Sequence, residues 1–461
     1  MDRATTTWTS SRPWGVICLG AIAVVTLLVI TTTLSVALLV PDFESSITLL
    51  IARSILTAFG ICVLIRQVFL VSVSVVSNWR GAEDQQQPDQ MEWPLISVLL
   101  PAYNEGENIV ASLTSLLNQD YPNLELIVID DGSQDETLTL ATALSLTRTH
   151  HPVTVLHKAN GGKASALNLG FTHSSGELVM VMDADSRIAK NALKLMLPKF
   201  QNPKIDAVAG QVAIGVEGNF ITQMQAIEYA IANGTTRTAQ SLWQCVLLVP
   251  GPIGLFRRSA LERLAFERLD EAASAEPETA NTMPIIEPIS DATFAEDFET
   301  SIRVLANGGG IVYEPRALCY TRPPSNVVAL VNQRYRWIRG HLQVGHLFMS
   351  QLWSPGDTRL RLWMWLTCLF DLYVMPFATI IMFFIAMTGF LLTDNIGLWL
   401  LVIASTLFAF STILAYTIAS QAASWRLLVA APAFAFYQIF MLSGAFIIAF
   451  IDDRRRASMR W

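Results

Sequence analysis

Charge is scarce in this chain. Only 15% of its 461 residues are Asp, Glu, Lys or Arg, against 52% hydrophobic, whereas a soluble globular domain averages about a quarter charged. The mean hydropathy is +0.42. A protein held wholly in water is excluded, and the length exceeds one ordinary domain. A basic excess is missing too: 31 Lys and Arg face 38 Asp and Glu, for a formal net charge of −7. Nucleic-acid binding needs a basic footprint to displace counterions, so that class is disfavoured. The five cysteines (Cys18, Cys62, Cys245, Cys319, Cys368) are scattered with no C-x-x-C pair, which argues against a disulfide scaffold or a zinc site. His341 and His346 are five apart on a predicted helix, point to different faces and read as ordinary surface histidines. No internal repeat and no separate regulatory domain is evident.

Apolar residues collect at the two ends instead. Trp14 to Val40 carries no charged side chain, more than the roughly 20 residues needed to cross the hydrocarbon. It is too long for a cleaved signal peptide and reads as a retained anchor. Ile47 to Val76 reads as a second span, with Arg53 and Arg66 snorkelling or facing protein. The loop between them is acidic (Asp42, Glu44) and Arg80 follows, so the charge rule puts the middle of the chain in the cytoplasm. Later spans are expected at Leu372–Leu392, Leu398–Ala419 and Leu427–Phe450. Three crossings would leave Arg454, Arg455, Arg456 and Arg460 outside, against that rule. Either one segment is re-entrant or part of Arg361–Asp371 joins a crossing. The expected layout is a membrane region over 1–77, a cytoplasmic domain over 78–355 and a second membrane region over 356–461.

Between the apolar ends, a polar linker (Asn78 to Met91) opens a region large enough for a full core. Leu95–Leu100, Leu124–Ile129, Val153–Leu156 and Leu178–Met182 read as buried strands, and Asn108–Leu117 and Ala164–Phe171 as helices. Continuous apolar strands alternating with helices imply an α/β domain with a mostly parallel sheet, which binds ligands outside the carboxyl ends of its strands. Glu271–Asp291 is a Pro-, Ala- and acid-rich stretch read as a loop without assignable chemistry.

Polar clusters stand at those strand ends: Pro101-Ala102-Tyr103-Asn104-Glu105, Asp130-Asp131-Gly132-Ser133 and Asp183-Ala184-Asp185. They are expected to meet in one crevice. Asp183 and Asp185 can hold Mg2+ or Mn2+, hard ions that bridge to substrate phosphates. A lone D-x-D is as readily a turn or helix cap, and the company of the other clusters favours the metal reading. Asp130-Asp131-Gly132-Ser133 is either a turn or a carboxylate acceptor for a base N–H. Lys163, in Asn160-Gly161-Gly162-Lys163, can balance phosphate charge or simply be solvated; it is no P-loop lysine, because His157 occupies the place of that motif's first glycine. Ala295-Glu296-Asp297 precedes a helical pattern over Phe298–Leu305, as a dipole complement or as a general base. Gln333-Arg334-Tyr335-Arg336-Trp337 opens a helical segment leading toward the membrane, whose Arg and Trp are either interfacial anchors or a diphosphate and sugar grip.

In this order, D-D-G-S, D-A-D, E-D and Q-R-Y-R-W resemble the processive family-2 membrane glycosyltransferases, among them the cellulose, hyaluronan and poly-N-acetylglucosamine synthases. The resemblance covers about residues 95–345 and the flanking helices. It implies a GT-A type nucleotide-sugar-binding domain between transmembrane helices in the plasma (inner) membrane. Tyr103, Glu105 and Asp131 would line a uridine site with Asp130 beside them. Lys163 and Asp183 would approach the diphosphate, and Asp183 with Asp185 would hold the metal. Asp297 would be the catalytic base, and Gln333, Arg336 and Trp337 would grip diphosphate and acceptor. The implied partners are a UDP-sugar donor, a growing glycan or lipid acceptor and membrane lipids, with accessory subunits left open. Tyr313-Glu314-Pro315-Arg316-Ala317-Leu318-Cys319 leans toward the poly-β-1,6-N-acetylglucosamine synthases, with hyaluronan synthase next. Two departures stand out: Ala295 replaces the threonine of the T-E-D motif, and Glu271–Asp291 is an insert. A glycolipid synthase, or a non-catalytic nucleotide-binding transporter or sensor, remains as the alternative.

Overall fold

The computed structural model describes residues 20, 47–83, 92–147, 150–214, 218–275, 287–352, 357–392, 410–421 and 424–457. The chain divides into two compact units, one drawn from Gln87–Gly215, Trp243–Leu372 and Ala445–Trp461, the other from Met1–Gln86, Val216–Leu242 and Tyr373–Gly444.

The first unit is built on one eight-stranded sheet of order β3-β2-β1-β4-β7-β6-β8-β5. The strands are β1 (Ile96–Ala102), β2 (Leu124–Asp130), β3 (Val153–His157), β4 (Leu178–Val181), β5 (Arg187–Ile188), β6 (Ile205–Ala213), β7 (Gly254–Arg257) and β8 (Gly310–Tyr320). The expected strands are β1 to β4, each within about two residues. β3, expected as a buried strand, lies at the sheet edge with none of its residues fully buried. β1, β2 and β4 are buried on both faces, with Ile96, Val98, Leu99, Leu100, Leu126, Ile127, Val128 and Ile129 each at most 2% exposed. Each such side chain contributes roughly 1.5–3 kcal/mol by leaving water. The predicted helices form as Ile109–Leu117 and Lys163–His173.

β1, β2, β3 and β4 are mutually parallel where they pair, with Ala102 beside Asp130 and Asp130 beside His157. Their polar ends therefore emerge along one edge. The other half is mixed. β7 runs antiparallel to β4 and β6, β5 antiparallel to β8, and β6 parallel to β8. The β6 register jumps between Gly210 and Gln211, whose partners are Glu314 and Leu318, so Pro315-Arg316-Ala317 bulges out of the ladder.

Glu271–Asp291 is not a loop throughout: the helix Arg258–Ala275 runs into it, and 276–286 lie outside the described residues. Its far end is fixed, because the Asn168 amide donates to the Ile289 carbonyl at 2.9 Å and accepts from its N–H at 3.0 Å. Residues 445–457 also belong to this unit, where Tyr335 Oη donates to Asp452 Oδ2 at 2.8 Å. Arg454, Arg455 and Arg456 thus belong to the same unit as the sheet.

The second unit is helical and apolar. Ile47–Glu83 is one helix of 37 residues. Its Ser74 hydroxyl lies 2.8 Å from the Tyr416 hydroxyl, which also accepts from the Asn78 amide at 3.0 Å. Val216–Leu242, expected within the sheet domain, groups here instead. Its Glu228 accepts from Tyr437 Oη at 2.7 Å, which gives a carboxylate among apolar helices the partner it requires. Over the described residues, three helical stretches are long and apolar enough to cross a membrane: Ile61–Arg80, Thr358–Ile381 and Leu427–Arg454. Arg361–Asp371 is thereby part of a continuous helical run, and the expected Leu372–Leu392 span starts upstream at Thr358. The expected anchor Trp14–Val40 and most of Leu398–Ala419 lie outside the described residues.

Candidate active site

The loops after β1 and β2 interlock. Asn104 takes a left-handed backbone, φ 56°, which asparagine tolerates better than most residues. Its N–H donates to Ser133 Oγ at 2.9 Å while its Oδ1 accepts from the Gln134 N–H at 2.8 Å. The Glu105 N–H donates to Thr137 Oγ1 at 2.7 Å, and the Gly106 N–H to Asp135 Oδ2 at 2.9 Å. Tyr103 is left 47% exposed at the end of β1, an aromatic face open to a ligand. Gly132 turns the D-D-G-S loop at φ +78°, where an added Cβ would lie 2.8 Å from the Asn160 nitrogen; only glycine fits.

The two adjacent aspartates do different work. Asp130 is fully buried and its Oδ2 lies 2.7 Å from His157 Nδ1. Asp131 accepts from Lys158 Nζ at 2.7 Å, from the Gly161 N–H at 3.0 Å and from the Gly162 N–H at 2.8 Å. Its carboxylate braces the loop that delivers Lys163.

Lys163 is the junction of the site. Its ammonium lies 2.8 Å from Asp183 Oδ1 and 2.8 Å from Glu296 Oε1. Burial works against its charge, but Asp183, Glu296 and Asp297 hold its pKa well above the ordinary lysine value. Burial likewise opposes ionisation of Glu296, and Lys163 more than offsets it, so the Glu296 pKa falls below the usual carboxylate range. Asp297 goes the other way: burial and the neighbouring Glu296 push its pKa up to about 6, against the pull of Lys163. Its Oδ1 accepts from the Phe298 N–H at 2.7 Å and its Oδ2 from the Gly251 N–H at 3.2 Å. Lys163, Gly251, Ile289, Glu296, Asp297 and Thr300 line one pocket. Two carboxylates of neighbouring sequence with pKa values driven apart are the pattern of a general base beside a charge-balancing partner.

Glu105 and Asp185 face the same space. Burial raises the Glu105 pKa, and Asp185 and Asp183 raise it further, against the hydrogen bond from Asn108. Burial, then Asp183, raises Asp185. Among the described residues no group of three or more His, Cys, Asp or Glu side chains is arranged to hold a metal. The Asp183–Asp185 pair suits a cation whose remaining ligands come from substrate phosphates and water, the usual arrangement for Mg2+. The donor set fits: both are hard oxygen ligands, and the raised Asp185 carboxyl has a neighbouring carboxylate that a cation would relieve.

The helix Val327–Leu347 packs against the segment that carries the E-D pair. Gly340 meets the segment before the E-D pair so closely that an added Cβ would lie 2.7 Å from both the Cβ and the N of Ala295. The Phe294 N–H donates to Gln343 Oε1 at 3.1 Å, and Phe298 packs edge-on to His341 with centroids 4.8 Å apart. His341 is therefore no surface histidine: burial depresses its pKa to about 4 and keeps it neutral. Arg336 is near enough to Glu296 to help lower its pKa. The Arg334 guanidinium lies 4.3 Å from the Trp337 ring centre and donates to Gln333 Oε1 at 2.6 Å.

Lys163, Asp183, Asp185, Glu105 and Asp297 come together as expected, with Arg336 beside Glu296. Glu296 itself was missed, because an E-D pair reads as one base with a neighbour. Pro250-Gly251-Pro252, whose glycine N–H reaches Asp297, was also missed; two prolines flanking a glycine between an apolar run and β7 are a turn signal that could have found it. Lys158 gave no signal beyond a surface lysine.

An α/β sheet with carboxylates and a lysine at its strand ends defines a ligand-binding crevice of the kind open α/β sheets carry, and comparison with known proteins narrows it. Residues 97–265 match the Glycosyl transferase family 2 model. A poly-beta-1,6-N-acetyl-D-glucosamine synthase of Staphylococcus epidermidis is 33% identical over 266 residues, 57% of this chain and 58% of that protein. The synthase of the same name from Staphylococcus aureus strain COL is 30% identical over 288 residues, 62% of this chain and 61% of that protein. The chain thus matches about six-tenths of the length of these curated relatives. The fold is shared with a solved mannosyltransferase from Pyrobaculum calidifontis, in complex with GDP-Man and Mn2+. The TM-score is 0.55 and the identity 18%, over 85% of this chain and all of that one. Residues 97–265 thus match a family-2 glycosyltransferase domain, on a sheet of GT-A fold.

Proposed function

We propose that the protein is a membrane-embedded inverting glycosyltransferase that extends a β-linked polysaccharide from a UDP-sugar, with UDP-N-acetylglucosamine as the donor. The observation that carries this reading is the meeting of Lys163, Glu296 and Asp297 at one pocket, with Asp183 paired to Lys163 at 2.8 Å and the Asp297 pKa raised to about 6. An aspartate tuned near neutrality is ionised at pH 7 yet basic enough to take a proton. The two curated relatives support the polymer and the sugar.

In this mechanism Tyr103 stacks on the base, Glu105 and Asp131 line the uridine site, and buried Asp130 steadies it through His157. Lys163 and Arg336 neutralise the charge that develops on the departing diphosphate, and Gln333 and Trp337 steady diphosphate and acceptor. Asp183 and Asp185 would hold Mg2+ or Mn2+, which supplies further positive charge at the diphosphate oxygens. Asp297 takes the acceptor hydroxyl proton as the oxygen bonds to the anomeric carbon. The bond from that carbon to the diphosphate breaks, and UDP leaves with the electron pair. Attack from the opposite face converts an α-linked donor into a β linkage.

The apolar helices support a multi-pass protein of the inner membrane with its sheet domain in the cytoplasm, where UDP-sugars are made. A hydrated glycan cannot enter hydrocarbon unaided, so the helices would also guide the product outward. Purified protein in nanodiscs, offered a panel of UDP-sugars with Mg2+ or Mn2+, tests the reading. Release of UDP with a long product is expected from UDP-N-acetylglucosamine. One sugar on lipid would make it a glycolipid synthase, and no release from any donor would make it a nucleotide-binding sensor.

A further inference from the structure

The helix Val327–Leu347 has two working faces. At 3.6 residues per turn, Gln333, Arg336, Trp337 and Gly340 share one face, and Tyr335, Arg339 and His346 share another. The first face meets the segment before the E-D pair through Gly340 and Ala295. The second is held by residues at the end of the helix Ser443–Arg454. Tyr335 Oη donates to Asp452 Oδ2 at 2.8 Å. Arg339 donates through Nη1 to Tyr335 Oη at 3.2 Å and through Nη2 to the Ala457 carbonyl at 3.1 Å. Its Nε stands 3.9 Å from Asp453 Oδ1, and His346 Nδ1 3.7 Å from Asp453 Oδ2. Arg339 is 4% exposed and the Asp453 side chain 8%, so this ion pair is shielded from the screening that makes surface pairs weak.

We infer that Asp452 and Asp453 are positioning residues for the donor grip: they hold, from behind, the helix that presents Gln333, Arg336 and Trp337. The inference rests on the glycosyltransferase reading for its catalytic consequence. Gly340 on Ala295, the Phe294–Gln343 hydrogen bond and the Phe298–His341 contact hold the helix on the side of the E-D segment. The two aspartates, bound to Tyr335 and Arg339, hold its other face. The last apolar helix thereby sets where Arg336 stands relative to Glu296 and Lys163. Displacement of a charged group by about 1 Å at a reacting centre can cost about a hundredfold in rate.

The full chain in nanodiscs is compared with Asp453→Ala, Asp453→Glu and the milder Tyr335→Phe, which removes the hydroxyl and with it the contacts to Asp452 and to Arg339 Nη1. Amide hydrogen exchange over 333–340 is expected to quicken about tenfold in Asp453→Ala and to return toward wild type in Asp453→Glu. UDP release is expected to fall about tenfold in Asp453→Ala and about threefold in Tyr335→Phe, with the donor KM raised and with recovery in Asp453→Glu. Unchanged exchange over 333–340 in Asp453→Ala overturns the proposal, as does full activity in both loss variants. If the wild type releases UDP from no donor, the enzymatic reading fails, while the exchange measurement still decides whether the aspartates hold the helix.

Discussion

Gly340 sits on Ala295 at backbone contact, so that a Cβ on the glycine would come within 2.7 Å of the alanine Cβ. Two of the smallest residues thus meet where one helix approaches the segment carrying Glu296 and Asp297. Ala295 stands where the T-E-D motif of similar enzymes has threonine, and a small residue there suits so close an approach. Gly340→Ala would force the two backbones apart, at about 1–3 kcal/mol as in overpacked cores. UDP release should fall at least about tenfold, with a lowered thermal midpoint. Wild-type kinetics in this variant would show that the contact does not set the site.

As the proposed base, Asp297 should govern the acid limb of activity. Its pKa lies at about 6, and a base must be ionised to act. The donor-saturated rate should therefore rise with pH up to about 6 and level above it, each unit below costing about tenfold. Asp297→Asn should abolish release while nucleotide binding survives in a calorimeter. The sign for stability is opposite to that of a salt-bridged aspartate. A carboxyl whose folded pKa is raised above 3.8 costs stability once it is ionised, and this cost fades as pH falls through about 6. Asp297→Asn should accordingly leave the thermal midpoint at pH 8 unchanged or higher.

Glu296 and Lys163 pull that limb in opposite directions. Glu296 raises the Asp297 pKa and Lys163 lowers it. Glu296→Gln should move the acid limb to lower pH, and Lys163→Met should move it to higher pH. The lysine variant should also lose about a hundredfold in rate if, as proposed, it removes a cation that neutralises the leaving group. Both variants shifting the same way would contradict the electrostatic account.

The parallel half of the sheet was legible because β1 to β4 are mostly apolar runs followed by polar residues, the pattern of a covered parallel sheet, although β3 proves a half-exposed edge strand. The mixed half was not. β5 is two residues and β7 four, too short for any periodicity, and β8 is broken by Glu314-Pro315-Arg316, where the ladder itself bulges. At the site, residue types were readable but pairings were not. Asp131 looks like a free acceptor in sequence, yet its partners Lys158 and Gly161 stand 27 and 30 residues further on. His341 reads as polar surface because nothing local reveals that Phe298 lies over it. The Tyr335–Asp452 bond spans 117 residues, and no local pattern announces a contact between two helices so far apart.

Asp183 and Asp185 should separate under metal titration. Asp183 is tied to Lys163 as well as to the proposed cation, whereas Asp185 has a hydroxyl partner, Ser186 Oγ at 2.9 Å. Asp185→Asn therefore removes one of the two proposed metal ligands and leaves the lysine pairing intact. Its activity should fall about a hundredfold at low Mn2+ and recover partly at high Mn2+. Asp183→Asn removes the ligand and also strips Lys163 of one counterion, so high Mn2+ should restore little. EDTA should silence the wild type and Mn2+ or Mg2+ should revive it. Full activity of the wild type in EDTA would mean that Lys163 and Arg336 alone carry the charge of the leaving diphosphate.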